Sequence, residues 1–278
     1  MTKMILKRIP LITLLIFITA VSAFAQTSAD TAQIVNLKKF DMPQLGRQRT
    51  IRVYFPKGYS SSNKSYPVIY MTDGQNLFKT DAEIKNTWAV DSILNSLPAG
   101  KQCIIVGIDH AGKDRITEYD PYNSTYGSGD GIAYTRFLVE TLKPYIDTHY
   151  QTKKDARYTA IAGSSMGSLL AMYAAVKYPD VFGSAGIFSP AFWIGPQIYT
   201  DTEASALNKK SGYYLTCGDS EGNEVGHVNK MDSLLHAKGF SLKQVPATKI
   251  NIGAIHNETQ WRNAFPAFYK WVAERFDL

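Results

Sequence analysis

The sequence predicts an α/β fold: a mostly parallel central sheet of about eight strands with helices on both faces. Three observations carry that expectation. Short, continuous apolar runs recur along the chain. Patterns with apolar residues at three- and four-residue spacing, the helical period, separate them. Two strand-like stretches precede the series.

The first 25 residues stand apart. Lys3, Lys7 and Arg8 open a basic start, an almost wholly apolar run follows, and Ala23-Phe24-Ala25 offers small residues where a signal peptidase cuts. This pattern is that of an export signal, cleaved after Ala25, and it places the mature protein in the periplasm or outside the cell. The run is short for a membrane span, so no stable membrane insertion is expected after cleavage. Residues 26–278 are expected to form one domain, because no linker or internal repeat interrupts them.

Within that domain, residues 33–40 and 48–55 read as strands. Ile51, Val53 and Phe55 on one face and Arg52 and Tyr54 on the other mark the second as half-exposed, near an edge. Pro56 and the serines of 60–65 end it. Strands are then expected at 67–71, 103–108, 158–162, 184–188, 213–217 and 249–253. Helices are expected at 82–97, 132–150, 166–178, 225–238 and 258–276, the first with Trp88, Val90, Ile93, Leu94 and Leu97 as a buried stripe. Residues 110–131 and 191–212 fit no element. Both follow strands, and loops after strand C-termini rim the ligand crevice of a parallel sheet.

Composition narrows the function. The chain has 278 residues, 45% hydrophobic and 19% charged, as in ordinary globular proteins. Its formal charge of +6 falls to +3 once the three cations of the signal are removed. No basic run or basic-aromatic stripe marks a nucleic-acid partner. Cys103 and Cys217 sit in apolar strand runs, which reads as two free buried thiols, and no metal spacing is present.

Gly163-Ser164-Ser165-Met166-Gly167 matches G-x-S-x-G, with an apolar strand running in and an apolar helix running out. That is the setting of a nucleophile elbow, which lifts the Ser165 hydroxyl clear of the backbone. A serine hydroxyl is a poor nucleophile until a base takes its proton and an acid orients that base. In this order of elements the acid and then the histidine come later in the chain. Of the histidines after Ser165, His227 and His236 fall in a helical pattern, while His256 lies between the last strand and the last helix. His256 is therefore the expected base. Asp219 and Glu221, after strand 213–217, both qualify as the acid; Glu221 has the reach to turn back towards the histidine. Two backbone N–H groups are needed for the developing oxyanion. Met166 supplies one, and Gln75, after Gly74 in the loop that follows strand 67–71, is the candidate for the other.

These residues resemble the esterase family of α/β-hydrolases, which includes feruloyl and acetyl-xylan esterases, enterochelin-type siderophore esterases, S-formylglutathione hydrolases and mycolyltransferases. The resemblance rests on the segment Tyr70 to Phe78, Thr87-Trp88, Val106-Gly107-Ile108-Asp109, Arg115 to Tyr119, the elbow, Tyr178-Pro179, Ser189-Pro190, and His256 with Trp261. It implies an ester hydrolase with a Ser-acid-His triad, places the acid at Glu221, and implies no metal or organic cofactor. Ser168 departs from the second glycine of many relatives. The export signal argues against the cytosolic S-formylglutathione hydrolases. Trp88, Arg115, Tyr119 and Trp193 are expected to bind substrate, with Tyr122, Tyr126, Phe192 and Tyr199 as further stacking surfaces. An acyl ester of a sugar or polysaccharide, acetyl or feruloyl, is the leading substrate class. A siderophore trilactone, acyl transfer to an acceptor, and a non-catalytic binding role stand behind it. The sequence is silent on oligomeric state.

Overall fold

The computed structural model describes residues 31–79 and 86–278. The expected export signal, residues 1–25, and part of the expected helix at 82–97 lie outside these residues.

Among the described residues ten strands form: β1 (Gln33–Met42), β2 (Arg47–Phe55), β3 (Val68–Thr72), β4 (Ile104–Ile108), β5 (Asn123–Ser124), β6 (Gly127–Ser128), β7 (Thr159–Ser164), β8 (Ser184–Phe188), β9 (Gly212–Gly218) and β10 (Lys249–Asn251). Eight of them make one sheet in the order β1-β2-β4-β3-β7-β8-β9-β10, and β5-β6 is a small separate hairpin. β1 pairs antiparallel with β2 and β2 antiparallel with β4; every other pairing in the large sheet is parallel. Strands β3, β4, β7, β8 and β9 are buried along their whole length, which is why they read as unbroken apolar runs rather than as alternation.

The helices are α1 (Val90–Asn95), α2 (Arg115–Tyr119), α3 (Gly131–Phe137), α4 (Lys143–His149), α5 (Met166–Lys177), α6 (Gln197–Ala204), α7 (Glu224–Ala237) and α8 (Glu258–Arg275). A π-helical turn, Leu138–Leu142, joins α3 to α4. The sheet has a core on each face. One collects Tyr134, Phe137, Leu142, Leu169, Leu170, Met172, Met231 and Leu235 from α3 to α7. The other collects Leu94, Trp261, Phe265, Phe268 and Val272 from α1 and α8. Helix α5 is buried from Met166 through Val176, so it is apolar all round rather than striped.

Three expectations are corrected. The first helix begins only at Val90: Ala89 adopts a left-handed conformation (φ 50°, ψ 39°), so Trp88 precedes the helix instead of lying on its stripe. Residues 110–131 are not a plain loop but carry α2 and the β5-β6 hairpin, and residues 191–212 carry α6. These helices span only two turns or fewer, too few for a hydrophobic period to stand out in sequence.

The topology positions the site. The chain runs β3 to β4 in one direction, then returns to lay β7 on the other side of β3. In a parallel sheet, that reversal leaves a crevice at the strand C-termini. There the ends of β3 and β7, Thr72 and Ser164, stand side by side.

Candidate active site

Three strands that are neighbours in the sheet, β3, β7 and β8, are each followed at once by a non-glycine residue with positive φ: Asp73 (58°), Ser165 (56°) and Ser189 (47°). Such conformations cost about 1–3 kcal/mol each and gather where structure is organised around function. At Ser165 ψ is −121°, and the residue is the N-cap of α5. Its N–H donates to the Phe188 carbonyl at 3.0 Å and its carbonyl accepts from Ala191 N at 3.1 Å, so the turn is pinned against β8.

The flanking glycines are forced by packing. A Cβ on Gly163 would stand 2.4 Å from Thr72 Oγ1 and 2.6 Å from the Gly167 backbone, and one on Gly167 would stand 2.1 Å from the same Thr72 oxygen. Ser168 is buried. Its Oγ accepts from Phe188 N at 2.7 Å and lies 2.5 Å from the Gly163 carbonyl and 2.8 Å from that of Phe188, tying the ends of β7 and β8 together.

His256 follows β10, on the loop leading into α8. Its Nδ1 lies 2.8 Å from Glu221 Oε2; the Glu221 side chain is 1% exposed and the imidazole 41%. Glu221 Oε1 accepts from Gly218 N at 2.6 Å and from Ser189 Oγ at 2.9 Å. Trp261 Nε1 donates to Ser189 Oγ at 3.0 Å, and its ring meets the imidazole edge-on at 5.2 Å. Asp219, the other acid of this turn, instead accepts from Gly253 N at 2.7 Å and from Ser220 Oγ at 3.0 Å. His227 and His236 lie on α7, bonded to Glu224 and to the Phe240 carbonyl.

Ser165 and His256 line one cavity of about 270 Å³, together with Asp73, Arg115, Trp88 and Trp261. Arg115 forks onto Asp73, Nε to Oδ1 at 2.6 Å and a terminal nitrogen to Oδ2 at 2.9 Å, and reaches the Ser164 carbonyl at 3.3 Å. Burial disfavours the Arg115 charge, but the hydrogen bonds and charge of Asp73 outweigh it, so the guanidinium pKa is raised.

Of the expected substrate-binding residues, Trp88 and Arg115 line this cavity. Tyr119 does not: it is fully buried, its hydroxyl accepting from Asp73 N at 3.3 Å and its ring lying 5.3 Å beneath the Arg115 guanidinium. Trp193 is 56% exposed and lies outside the cavity lining. Phe192 and Tyr199 are buried against each other, and Tyr122 packs edge-on against Tyr173. The aromatic wall is formed by Trp88 and Trp261, 5.8 Å apart, rather than by the loops. Met166 is buried at the first turn of α5. Gln75 sits in a 3-10 turn (Gly74–Asn76) directly after β3, where its Oε1 accepts from His110 N at 3.0 Å. A Cβ on Gly74 would come within 2.8 Å of Asp109 Oδ1 and of the Gly107 backbone, so this turn is packed hard onto β4.

The cavity also holds residues that sequence reasoning had not assigned to it: Asp73, Asn76, His110 and Glu258. Two of them follow from topology. His110 opens the segment after β4, and Glu258 lies two residues past His256; both are at the C-terminal edge of the sheet. Among the described residues, no cluster of His, Cys, Asp and Glu is arranged to hold a metal ion, and no helix is long and apolar enough to cross a membrane.

Residues 43–272 match the family model described as "Putative esterase". The endo-1,4-beta-xylanase/feruloyl esterase of Xylanibacter ruminicola is 26% identical over 226 residues, covering 78% of this chain and 28% of that protein. A solved ferulic acid esterase superposes with a TM-score of 0.69 at 20% identity, over 89% of this chain and 99% of the other. The enterobactin esterase of Shigella flexneri superposes at 0.64 with 17% identity, over 89% of this chain and 59% of the other. At these identities the two structural likenesses establish the shared fold. The family match spans most of the chain, including every strand end that builds the cavity: the chain belongs to the esterase family and is a carboxylic-ester hydrolase on an α/β-hydrolase fold.

Proposed function

We propose that the chain is an exported serine esterase acting through Ser165, His256 and Glu221 on acyl esters of sugars or polysaccharides. The observation that carries this reading is the 2.8 Å contact of the buried Glu221 carboxylate with His256, in a cavity that the strained Ser165 also lines. Glu221 fixes the imidazole with Nδ1 protonated, leaving Nε2 as the base. Nε2 takes the Ser165 proton as Oγ bonds to the ester carbonyl carbon. The oxyanion is held by the Met166 N–H at the start of α5, with the Gln75 N–H as its partner. The tetrahedral intermediate collapses, the alcohol leaves with the proton from His256, and an acyl-Ser165 remains. Water, deprotonated by the same imidazole, attacks the acyl carbon, and the carboxylic acid departs as Ser165 regains its proton.

The substrate class is supported by the edges of the largely buried Trp88 and Trp261 rings at the cavity, and by the relative that joins a xylanase to a feruloyl esterase. A ferric catecholate siderophore is less well served: the one arginine lining the cavity is already committed to Asp73. The half-open imidazole leaves water free access to the base, which favours hydrolysis over transfer. Export rests on the basic, apolar and small-residue succession of the first 25 residues.

The test is a panel of acetyl, feruloyl and catecholate esters with wild type and Ser165→Ala, alongside mass spectrometry for an acyl adduct on Ser165. Turnover by wild type with loss of at least about 10³-fold in Ser165→Ala is expected. Full activity in that variant would end the serine mechanism. Cleavage of catecholate trilactones alone would replace the sugar reading.

A further inference from the structure

Glu258 lines the catalytic cavity yet has no part in the chemistry above. We propose that Glu258 sets the charge selectivity of the site, forming with Asn76 a polar subsite that takes neutral, hydroxyl-bearing parts of the substrate and turns away carboxylate-bearing ones. The proposal rests on the reading that esters are cleaved in this cavity.

The first support is position. Glu258 opens α8 two residues after His256, so the same short connection that places the base also holds this carboxylate at the cavity. It is half-buried, and its Oε1 accepts from Asn76 Nδ2 at 3.4 Å. An ionised carboxylate has about four lone-pair sites, so this one long hydrogen bond among the described residues leaves acceptor capacity for substrate hydroxyls. The adjacent Asn76 amide adds donor and acceptor capacity of its own.

The second support is charge. The ionisable groups lining the cavity are Asp73, Glu258, Arg115, His110 and His256. Arg115 and Asp73 cancel through their two-point contact. Glu258 also acts on Arg115 through space, but two carboxylates against one guanidinium still leave the lining with one net negative charge when both imidazoles are neutral. In a cavity of about 270 Å³ any substrate group lies within a few ångströms of it, too near for salt to screen fully.

A purely structural task for Glu258 is already filled by its neighbour. The Asn257 side chain caps α8 by accepting from Gln260 N at 3.1 Å, which leaves Glu258 only the modest charge–dipole contribution of a first-turn acid.

The experiment compares 4-nitrophenyl butyrate with 4-nitrophenyl hemisuccinate, matched in chain length and differing by one negative charge. It uses full-length wild type and Glu258→Gln, with Glu258→Asp as a charge-preserving control. Wild type is expected to prefer the neutral ester. Glu258→Gln should raise the anionic-to-neutral ratio of kcat/KM about tenfold, the size of one Coulomb contact across a partly hydrated site. Glu258→Asp should keep the wild-type ratio, and if Glu258→Gln folds poorly, Glu258→Ser gives the same readout. A ratio in Glu258→Gln within twofold of wild type, or an equal fall on both esters, overturns the proposal. Ser165→Ala is run beside them: survival of turnover in that variant sinks the serine reading itself, whatever the ratio does.

Discussion

The Glu221 carboxylate meets His256 Nδ1 at 2.8 Å, while Asp219 Oδ1, two residues earlier on the same turn, accepts from the Gly253 N–H at 2.7 Å. One acid orients the imidazole and the other fastens the turn to the end of β10. Glu221→Gln is therefore expected to lower kcat by about 10³-fold with KM little changed, because the amide no longer holds the Nδ1-protonated form. Asp219→Asn should keep kcat within about threefold of wild type. Steady-state kinetics on a simple acyl ester decide it, and a reversed order of effects refutes the assignment.

Behind that carboxylate stands Ser189, fully buried, which accepts from Trp261 Nε1 and donates to Glu221 Oε1. Ser189→Ala leaves the indole N–H without its partner and removes one of the bonds to the acid. The expected cost is about 1–3 kcal/mol of stability, read by urea unfolding, together with a measurable fall in kcat. Wild-type stability in this variant would show that Trp261 finds another acceptor.

Gly167, in the first turn of α5, packs onto Thr72 at the end of β3 with room for no side chain: a Cβ would stand 2.1 Å from Thr72 Oγ1 and 3.0 Å from its Cβ. Gly167→Ala should destabilise by at least about 2 kcal/mol. Thr72→Ala removes the nearer of the two contacts, so the double variant should recover part of the loss. Thermal or urea unfolding of the four proteins in a double-mutant cycle measures that coupling; strict additivity would show that the backbone turn, not Thr72, excludes the methyl.

Glu224 opens α7 with its carboxyl buried, the side chain 8% exposed. Burial first, opposed by the His256 charge and reinforced by Glu221, pushes its pKa up to about 7. A carboxyl whose folded pKa exceeds its unfolded value near 4.5 binds its proton more tightly in the native state. Stability should therefore fall as pH rises from about 4.5 to about 7, and level off above that. Glu224→Gln, neutral throughout, should remove this slope and be the more stable protein at pH 8 by about 2 kcal/mol. Urea midpoints at pH 5 and pH 8 test it; parallel curves for the two proteins would contradict it.

Cys103 and Cys217 are free and buried, and burial pushes both thiols up to about 12. Since thiolate is the reactive form, native protein at pH 8 should react negligibly with a thiol reagent over minutes. Protein in guanidinium should titrate two thiols. None in denaturant would reveal a bond between them.

Much of this was legible in the residues themselves. Buried strands such as β7 and β8 announce themselves as unbroken apolar runs because both faces are covered, and the glycines around Ser165 mark a turn too tight for side chains. Chain order together with the helical pattern around His227 and His236 pointed to His256 and narrowed the candidate acid to one turn. What sequence left open was decided by contacts between segments far apart in the chain. That Glu221 rather than Asp219 meets His256 depends on how a seven-residue strand ends beside Ala254 and Gly253. The burial of Tyr119, the wall made by Trp88 and Trp261, and the arrival of Glu258 beside Asn76 follow from packing α2 and α8 on opposite faces of one sheet. Local patterns encode periodicity and turn sterics, which act over a few residues. Which side chains meet in a cavity depends on the sheet order, and that order is settled only when distant apolar surfaces are buried together.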